Sequence, residues 1–244
     1  MFTKAIVRKP SKSMVNGLTS VDLGAPNYQL AIQQHEAYIE ALLQSGLDIT
    51  VLEADENFPD SCFVEDVALC TPHCAIVTRP GANSRRGEVE EMKDILKDFY
   101  ENIEEISSPG TVEAGDIMMV ENHYYIGLSA RTNQYGAKQM IAILEKYGMS
   151  GSIVPLEEVL HLKTGLAYLE NNHLLISGEF LKNPVFEEFN KIVIEENDAY
   201  SANCIWVNGT VLVPAQFPKT TQLIKEAGYP VIELEMSEFQ KLDG

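Results

Sequence analysis

Apolar residues recur along this chain with two alternating periods. Spacings of three and four put Ala31, Tyr38, Ile39 and Leu42 on one face of residues 28–45. This predicts an amphipathic helix with Asn27 as its N-cap and Gly46 past its end. The same period predicts helices over 88–100, through Val89, Met92, Ile95, Leu96 and Phe99, and over 133–147, through Ala137, Met140, Ile141 and Leu144. Shorter helices are expected from Pro184 and Pro218, because a first turn tolerates proline; the second of these stops at Gly228.

Each helix is followed by a short apolar or alternating run, at 49–52, 103–106, 153–154, 192–194 and 231–234, and these runs read as strands. Four helices are also preceded by two strand-like runs: 62–69 with 75–78, 117–120 with 124–128, 165–169 with 174–177, and 204–207 with 211–213. The repeating unit is therefore strand, strand, helix, strand. It recurs about five times, at intervals of about 50 residues shortening to about 40, which predicts one cyclic α/β domain over 1–244 rather than two. Before the first helix only the run 4–8 is available, so the first unit is one strand short. A strand beyond Gly244 would complete the cycle, as closed β architectures often join their two ends in one unit.

Composition narrows the partners. Eighteen Lys and Arg against 36 Asp and Glu leave a formal charge of −18. That field repels nucleic acid and anionic membrane and steers cations inward, although it locates no site. No apolar stretch approaches the roughly 20 residues of a membrane helix, and the apolar run of the N-terminus is too short for a signal peptide, so a cytoplasmic protein is expected. The cluster Cys70-Thr71-Pro72-His73-Cys74 lacks the second pair of ligands that zinc sites use, so no metal is expected there. Cys62, Cys70 and Cys204 sit among apolar residues and read as reduced core cysteines.

Three polar segments could carry chemistry at strand ends. Residues 58–66 place Asp60, Glu65 and Asp66 between aromatic groups, a set able to chelate a metal or hold a guanidinium in two-point hydrogen bonds. Turn capping by Asp60, with Glu65 and Asp66 exposed, explains the same residues equally well. Arg85 and Arg131 each lie in a loop entering a helix N-terminus, which suits a carboxylate, though pairing with nearby acids is the simpler reading of each. Glu113, in the segment 110–116, and His161, in 160–165, both precede the first strand of a unit. A carboxylate beside a histidine orients the imidazole and raises its pKa, which suits general acid/base work. His35, His73, His123 and His173 read as structural.

Taken together, Gly17-Leu18-Thr19-Ser20, Phe58 to Ser61, Phe63-Val64-Glu65-Asp66, Arg79 to Ala82, Ser84 to Glu88, Gly110 to Asp116, Ser129 to Asn133 and Leu160 to Gly165 resemble the dimethylarginine dimethylaminohydrolases. These enzymes belong to the guanidino-group-modifying, or pentein, superfamily, whose fold is a five-fold pseudosymmetric α/β propeller of ββαβ units. The resemblance runs the length of the chain. It implies hydrolysis of Nω-methylated arginines to citrulline and methylamine or dimethylamine, with no metal or organic cofactor. It further implies that Glu65 and Asp66 hold the guanidinium, that Asp60 and the Leu18 backbone meet the α-amino end, and that Arg85 with Arg131 bind the α-carboxylate. Phe63 lines the pocket, Leu242 contacts substrate through its backbone, His161 is the acid/base and Glu113 its partner.

In that family Lys-x-Asp-Gly is followed a few residues later by a nucleophilic cysteine. Here the motif is Lys241-Leu242-Asp243-Gly244, and none of the four cysteines matches the nucleophile's position. Since losing a nucleophile costs on the order of a million-fold in rate, these 244 residues are expected to bind but not to turn over. Two other readings stay open: an arginine deiminase-like hydrolase acting on arginine or agmatine, of which the paired arginines disfavour agmatine, and a non-catalytic propeller binding module. A homodimer is left open.

Overall fold

The computed structural model describes residues 1–244. Its contacts divide the chain into two compact units, Val64–Thr164 and Met1–Phe63 with Gly165–Gly244. None of its helices is long and apolar enough to cross a membrane.

In the unit 64–164, strands β3 (Ala68–Cys70), β4 (Ala75–Val77) and β5 (Ile103–Glu105) form one sheet, and β6 (Ile117–Val120), β7 (His123–Leu128) and β8 (Ser150–Pro155) another. In each the middle strand is antiparallel to the one before it and parallel to the one after. Helices α2 (Glu88–Leu96) and α3 (Gln134–Lys146) make the crossovers between the parallel pairs. Helix α3 starts where the Asn133 side chain accepts the Gly136 N–H, and Gly148, at φ +77, follows its end. Its Ala137, Met140 and Leu144 pack on Ile76, Ile117, Tyr124 and Ile126 in one dry core.

The other unit repeats the plan. Strands β9 (Leu166–Tyr168), β10 (His173–Ile176) and β11 (Asn190–Val193) form a three-stranded sheet, as do β12 (Ile205–Val207), β13 (Thr210–Pro214) and β14 (Val231–Leu234), with helix α5 (Pro218–Glu226) between the last two. Strands β1 (Lys4–Arg8) and β2 (Asp48–Leu52) pair in parallel across α1 (Tyr28–Gln44) as a two-stranded sheet, the short first unit expected from strand counting. Asn27 caps α1 by accepting the Leu30 N–H, and Gly46, at φ +86, ends it. The short helix α6 (Ser237–Gln240) lies near the C-terminal end.

Several segments differ from the expected pattern. Most of 62–69 is not strand, because Val64–Val67 coils into a 3-10 turn that buries Asp66 and Val67. Pro184 opens a three-residue 3-10 turn rather than a longer helix, and its Phe186 is fully buried with its ring edge-on to Phe180 at 6.0 Å. Residues 162–165 form the short helix α4 (Leu162–Gly165), so β9 begins one residue late. On α1 the buried face includes Gln34 and His35 rather than Tyr38 and Ile39, which are only partly covered.

Candidate active site

One turn of chain organises the unit 64–164. After an isolated bridge between Arg79 and Val112, the Asp116 N–H closes on the Glu113 carbonyl at 3.0 Å. This turn aims the carboxylates of Glu113 and Asp116 at opposite sides of His161: Glu113 Oε2 is 3.5 Å from Nε2, and Asp116 Oδ1 is 3.3 Å from Nδ1. Gly115, between them, lies so close that a Cβ there would stand 2.9 Å from Asp66 Oδ1 and 3.1 Å from the His161 ring. Its N–H donates to Asp66 Oδ1 at 3.0 Å. Asp66, Glu113 and His161 thus converge, with ligating atoms within 4.8 Å of one another.

Arginines answer these carboxylates. The buried Arg85 reaches Asp66 Oδ2 at 2.5 Å and grips Glu88 through Nε at 3.0 Å and Nη2 at 2.9 Å. Glu113 Oε1 accepts the Ala82 N–H at 3.0 Å and lies 3.5 Å from Arg131, which keeps about a fifth of its side-chain surface exposed. Lys163 pairs with the more exposed Glu65. Burial alone would raise the Asp66 carboxyl, but the charges of Arg85 and His161 and the Gly115 amide outweigh it and hold Asp66 below the ordinary carboxylate range. Burial alone would lower His161. The Asp116 carboxylate 3.3 Å from Nδ1 and the charges of Asp66 and Glu113 outweigh it and push the imidazole above 6.5.

In the unit containing residues 1–63 and 165–244, Asp60 is buried and its Oδ1 accepts the Leu18 N–H at 2.8 Å. Gly17 lies against both Asp60 and Leu242, where a Cβ would meet Oδ1 at 2.9 Å and the leucine Cδ2 at 3.1 Å. Leu242 packs with Met14, Ala31 and Phe239, and Phe63 sets its ring edge-on to Phe239 at 6.2 Å. Asp243, held at φ +63, accepts both the N–H and the hydroxyl of Ser20.

The predicted residues therefore fall into two groups, Glu65, Asp66, Arg85, Glu113, Arg131 and His161 in one unit and Leu18, Asp60, Phe63 and Leu242 in the other. The turn reading of 58–66 fails for Asp60 and Asp66, which are buried, and holds only for Glu65. Sequence reasoning assigned nothing to Asp116 or Glu88. Spacing alone does not set either apart from the many other acids of the chain. Cys74 and Cys204 are buried, and burial pushes the Cys204 thiol up to about 12, so neither has the character of a nucleophile.

The model of the eukaryotic N,N dimethylarginine dimethylhydrolase family matches residues 24–191. The N(G),N(G)-dimethylarginine dimethylaminohydrolase of Pseudomonas aeruginosa is 59% identical, over 100% of this chain and 96% of its own. The Streptomyces coelicolor protein of that name is 32% identical over 99% and 93%. A cysteine-to-serine mutant of the Pseudomonas enzyme complexed with citrulline superposes with a TM-score of 0.99, covering 100% of this chain and 96% of the other. The N-terminal domain of a cyanobacterial arginine dihydrolase, 17% identical and covering 98% and 93%, shares the fold alone, with a TM-score of 0.88. The fold is thus the α/β pentein fold that the family resemblance implies. Over its whole length, this chain belongs to the dimethylarginine dimethylaminohydrolase family.

Proposed function

We propose that this protein hydrolyses Nω-methylated arginines to citrulline and dimethylamine or methylamine. The observation that carries the reading is His161 flanked by Glu113 and Asp116 beside an Asp66 carboxylate kept ionised by Arg85. An ionised carboxylate holds a guanidinium in charge-assisted hydrogen bonds, and a charged imidazole next to it is a proton donor in place.

The chemistry balances as follows. A cysteine thiolate attacks the guanidinium carbon, and His161 gives its proton to the departing amine as the C–N bond breaks, leaving a covalent thiouronium. His161 then takes one proton from water as the new C–O bond forms, the C–S bond breaks to free the thiolate, and the remaining hydroxyl proton leaves to the released amine, giving citrulline and an alkylammonium. The four cysteines of these 244 residues are not proposed for the attack. Asp66 with Glu65 is proposed to hold the guanidinium, Asp60 with the Leu18 backbone to meet the α-amino group, and Arg131 to meet the α-carboxylate. Phe63 and the Leu242 backbone are proposed to bound the pocket. For Arg85 the pairings with Asp66 and Glu88 favour support of Asp66 over direct contact with a carboxylate. Cysteines held as thiols rather than in disulfides also favour a reducing, cytoplasmic setting.

The test is product analysis with the full-length product of the gene. Dimethylamine and citrulline from asymmetric dimethylarginine are expected. Ammonia from unmethylated arginine as the preferred product would favour a deiminase, and neither product would sink both enzyme readings in favour of a binding module.

A further inference from the structure

Asp116 is fully buried, and the charge of such a carboxylate must be answered within the protein. Its neighbours are few. Ser129 Oγ donates to Oδ2 at 2.7 Å, the Leu162 N–H donates to Oδ1 at 3.1 Å, and His161 Nδ1 lies 3.3 Å from Oδ1. Only the last can bring a positive charge. Glu113 differs in its other partners, because its Oε1 takes the Ala82 N–H and the Arg131 charge while its buried Oε2 faces Nε2; the two imidazole nitrogens meet their carboxylates in charge contacts of 3.3 and 3.5 Å rather than in full hydrogen bonds. The two sides of the imidazole are therefore not equivalent.

Ser129 fixes this arrangement. Its single hydroxyl hydrogen is committed to Asp116, while its oxygen accepts the N–H groups of Arg131 and Thr132 at 3.0 and 3.1 Å. The loop that presents Arg131 thus also locks the Asp116 carboxylate. Leu162 follows His161 directly, so its amide ties the same carboxylate to the backbone that carries the imidazole.

Building on the proposed acid/base role of His161, we infer that Asp116 is its positioning residue: Asp116 keeps the Nδ1 proton in place, so that the proton given to the leaving amine and later taken from water travels on Nε2. A carboxylate accepts only, and so selects the tautomer protonated at Nδ1. Asparagine could turn its NH2 toward Nδ1 and select the opposite one. The charged groups facing the imidazole are Asp116, Glu113 and Asp66, with Arg131 and Arg85 behind the last two and Lys163, two residues on, paired to Glu65.

The test compares wild type, Asp116→Asn and Ser129→Ala in the full-length protein, following the His161 imidazole by 15N NMR through a pH titration and measuring kcat and KM for dimethylarginine. Asp116→Asn should move the neutral ring toward the Nε2–H tautomer and lower its titration by about one pH unit or more. It should cut kcat by about 100-fold or more while KM stays within about threefold. Ser129→Ala should shift both in the same direction by less. An Asp116→Asn protein with wild-type tautomer, titration and kcat would overturn the inference. If that variant does not fold, an unchanged His161 titration in Ser129→Ala overturns it as well. A wild-type protein that hydrolyses no methylated arginine would sink the proposed function, while the tautomer still reads the tether to Asp116 separately.

Discussion

Replacing Arg85 with methionine separates two roles that its position allows. The side chain is about 5% exposed and bridges two carboxylates that are themselves almost wholly covered, Asp66 at 2.5 Å and Glu88 at 2.9 Å. Methionine fills similar space but leaves both acids buried without their cation. Removing one partner of a buried pair costs about 3–5 kcal/mol, far more than the pair contributes over an apolar substitute. In a chain of this size each kcal/mol moves Tm by about 2–4 °C, so calorimetry should register a fall of about 6–20 °C. Asp66, no longer held low by Arg85, should also take up a proton more readily, weakening guanidinium binding whatever the other end of the ligand carries. The affinity for dimethylarginine and for its methyl ester should therefore fall by similar factors in Arg85→Met, whereas Arg131→Ala should abolish the preference for the free carboxylate. An Arg85→Met protein with wild-type Tm that loses affinity only for the free carboxylate would refute this account and restore Arg85 as a direct ligand of the substrate.

Three further outcomes follow from the geometry. Gly115→Ala places a methyl group 2.9 Å from Asp66 Oδ1 and 3.1 Å from the His161 ring, so kcat should fall about 10- to 100-fold with Tm nearly unchanged; wild-type kcat would show that the ring tolerates displacement. Burial lowers His35 from 6.5 to about 4, outweighing its bond to the Arg8 backbone, so the unfolded chain binds the extra proton between those values. Stability should drop by up to about 3 kcal/mol as pH falls through that window, and urea titrations of His35→Gln should lack this component. His161 has the opposite sign, its contribution being complete below 6.5 and lost as pH rises through its raised value. Finally, isothermal titration should find neutral citrulline binding at least about tenfold more weakly than dimethylarginine, a charge-assisted contact being lost; equal affinities would count against charge as the recognition principle.

The repeat was legible because each unit buries its strands and one helix face, which imposes periods of two and 3.6 on the same stretch of sequence. It blurred where burial is achieved without regular structure, as at Val64–Val67, whose apolar spacing resembles a strand although the backbone coils to bury Asp66. His161 and Glu113 could be paired from their equivalent places before a strand. Asp116 could not, because a fully buried carboxylate has no pattern of its own in a sequence; its partners, Ser129 Oγ and the Leu162 amide, lie 13 and 46 residues away. Arg85 was identified as a cation at a helix N-terminus, but its commitment to Glu88 is a matter of rotamer, which spacing does not encode.

The charges around His161 give a physical reason for the proposed preference for a cationic ligand. Asp66, Glu88, Glu113 and Asp116 are four carboxylates with almost no exposed surface, set against Arg85, Arg131 and an imidazole whose charged form they favour. The exposed Glu65 is already matched by Lys163. Four negative charges against three positive ones leave the cluster one cation short, and in a region with so little water that deficit is not screened away. A guanidinium supplies the missing charge as a flat fork suited to carboxylate oxygens. Hydrolysis turns it into a neutral urea, so the reaction removes the charge that held the substrate and returns the cluster to its deficit. The same imbalance makes the charge of His161 costly to lose: a neutral His161 would leave the cluster two charges short, and Asp116, the most deeply buried of the four, would keep a proton donor at Nδ1 but lose its only charged partner.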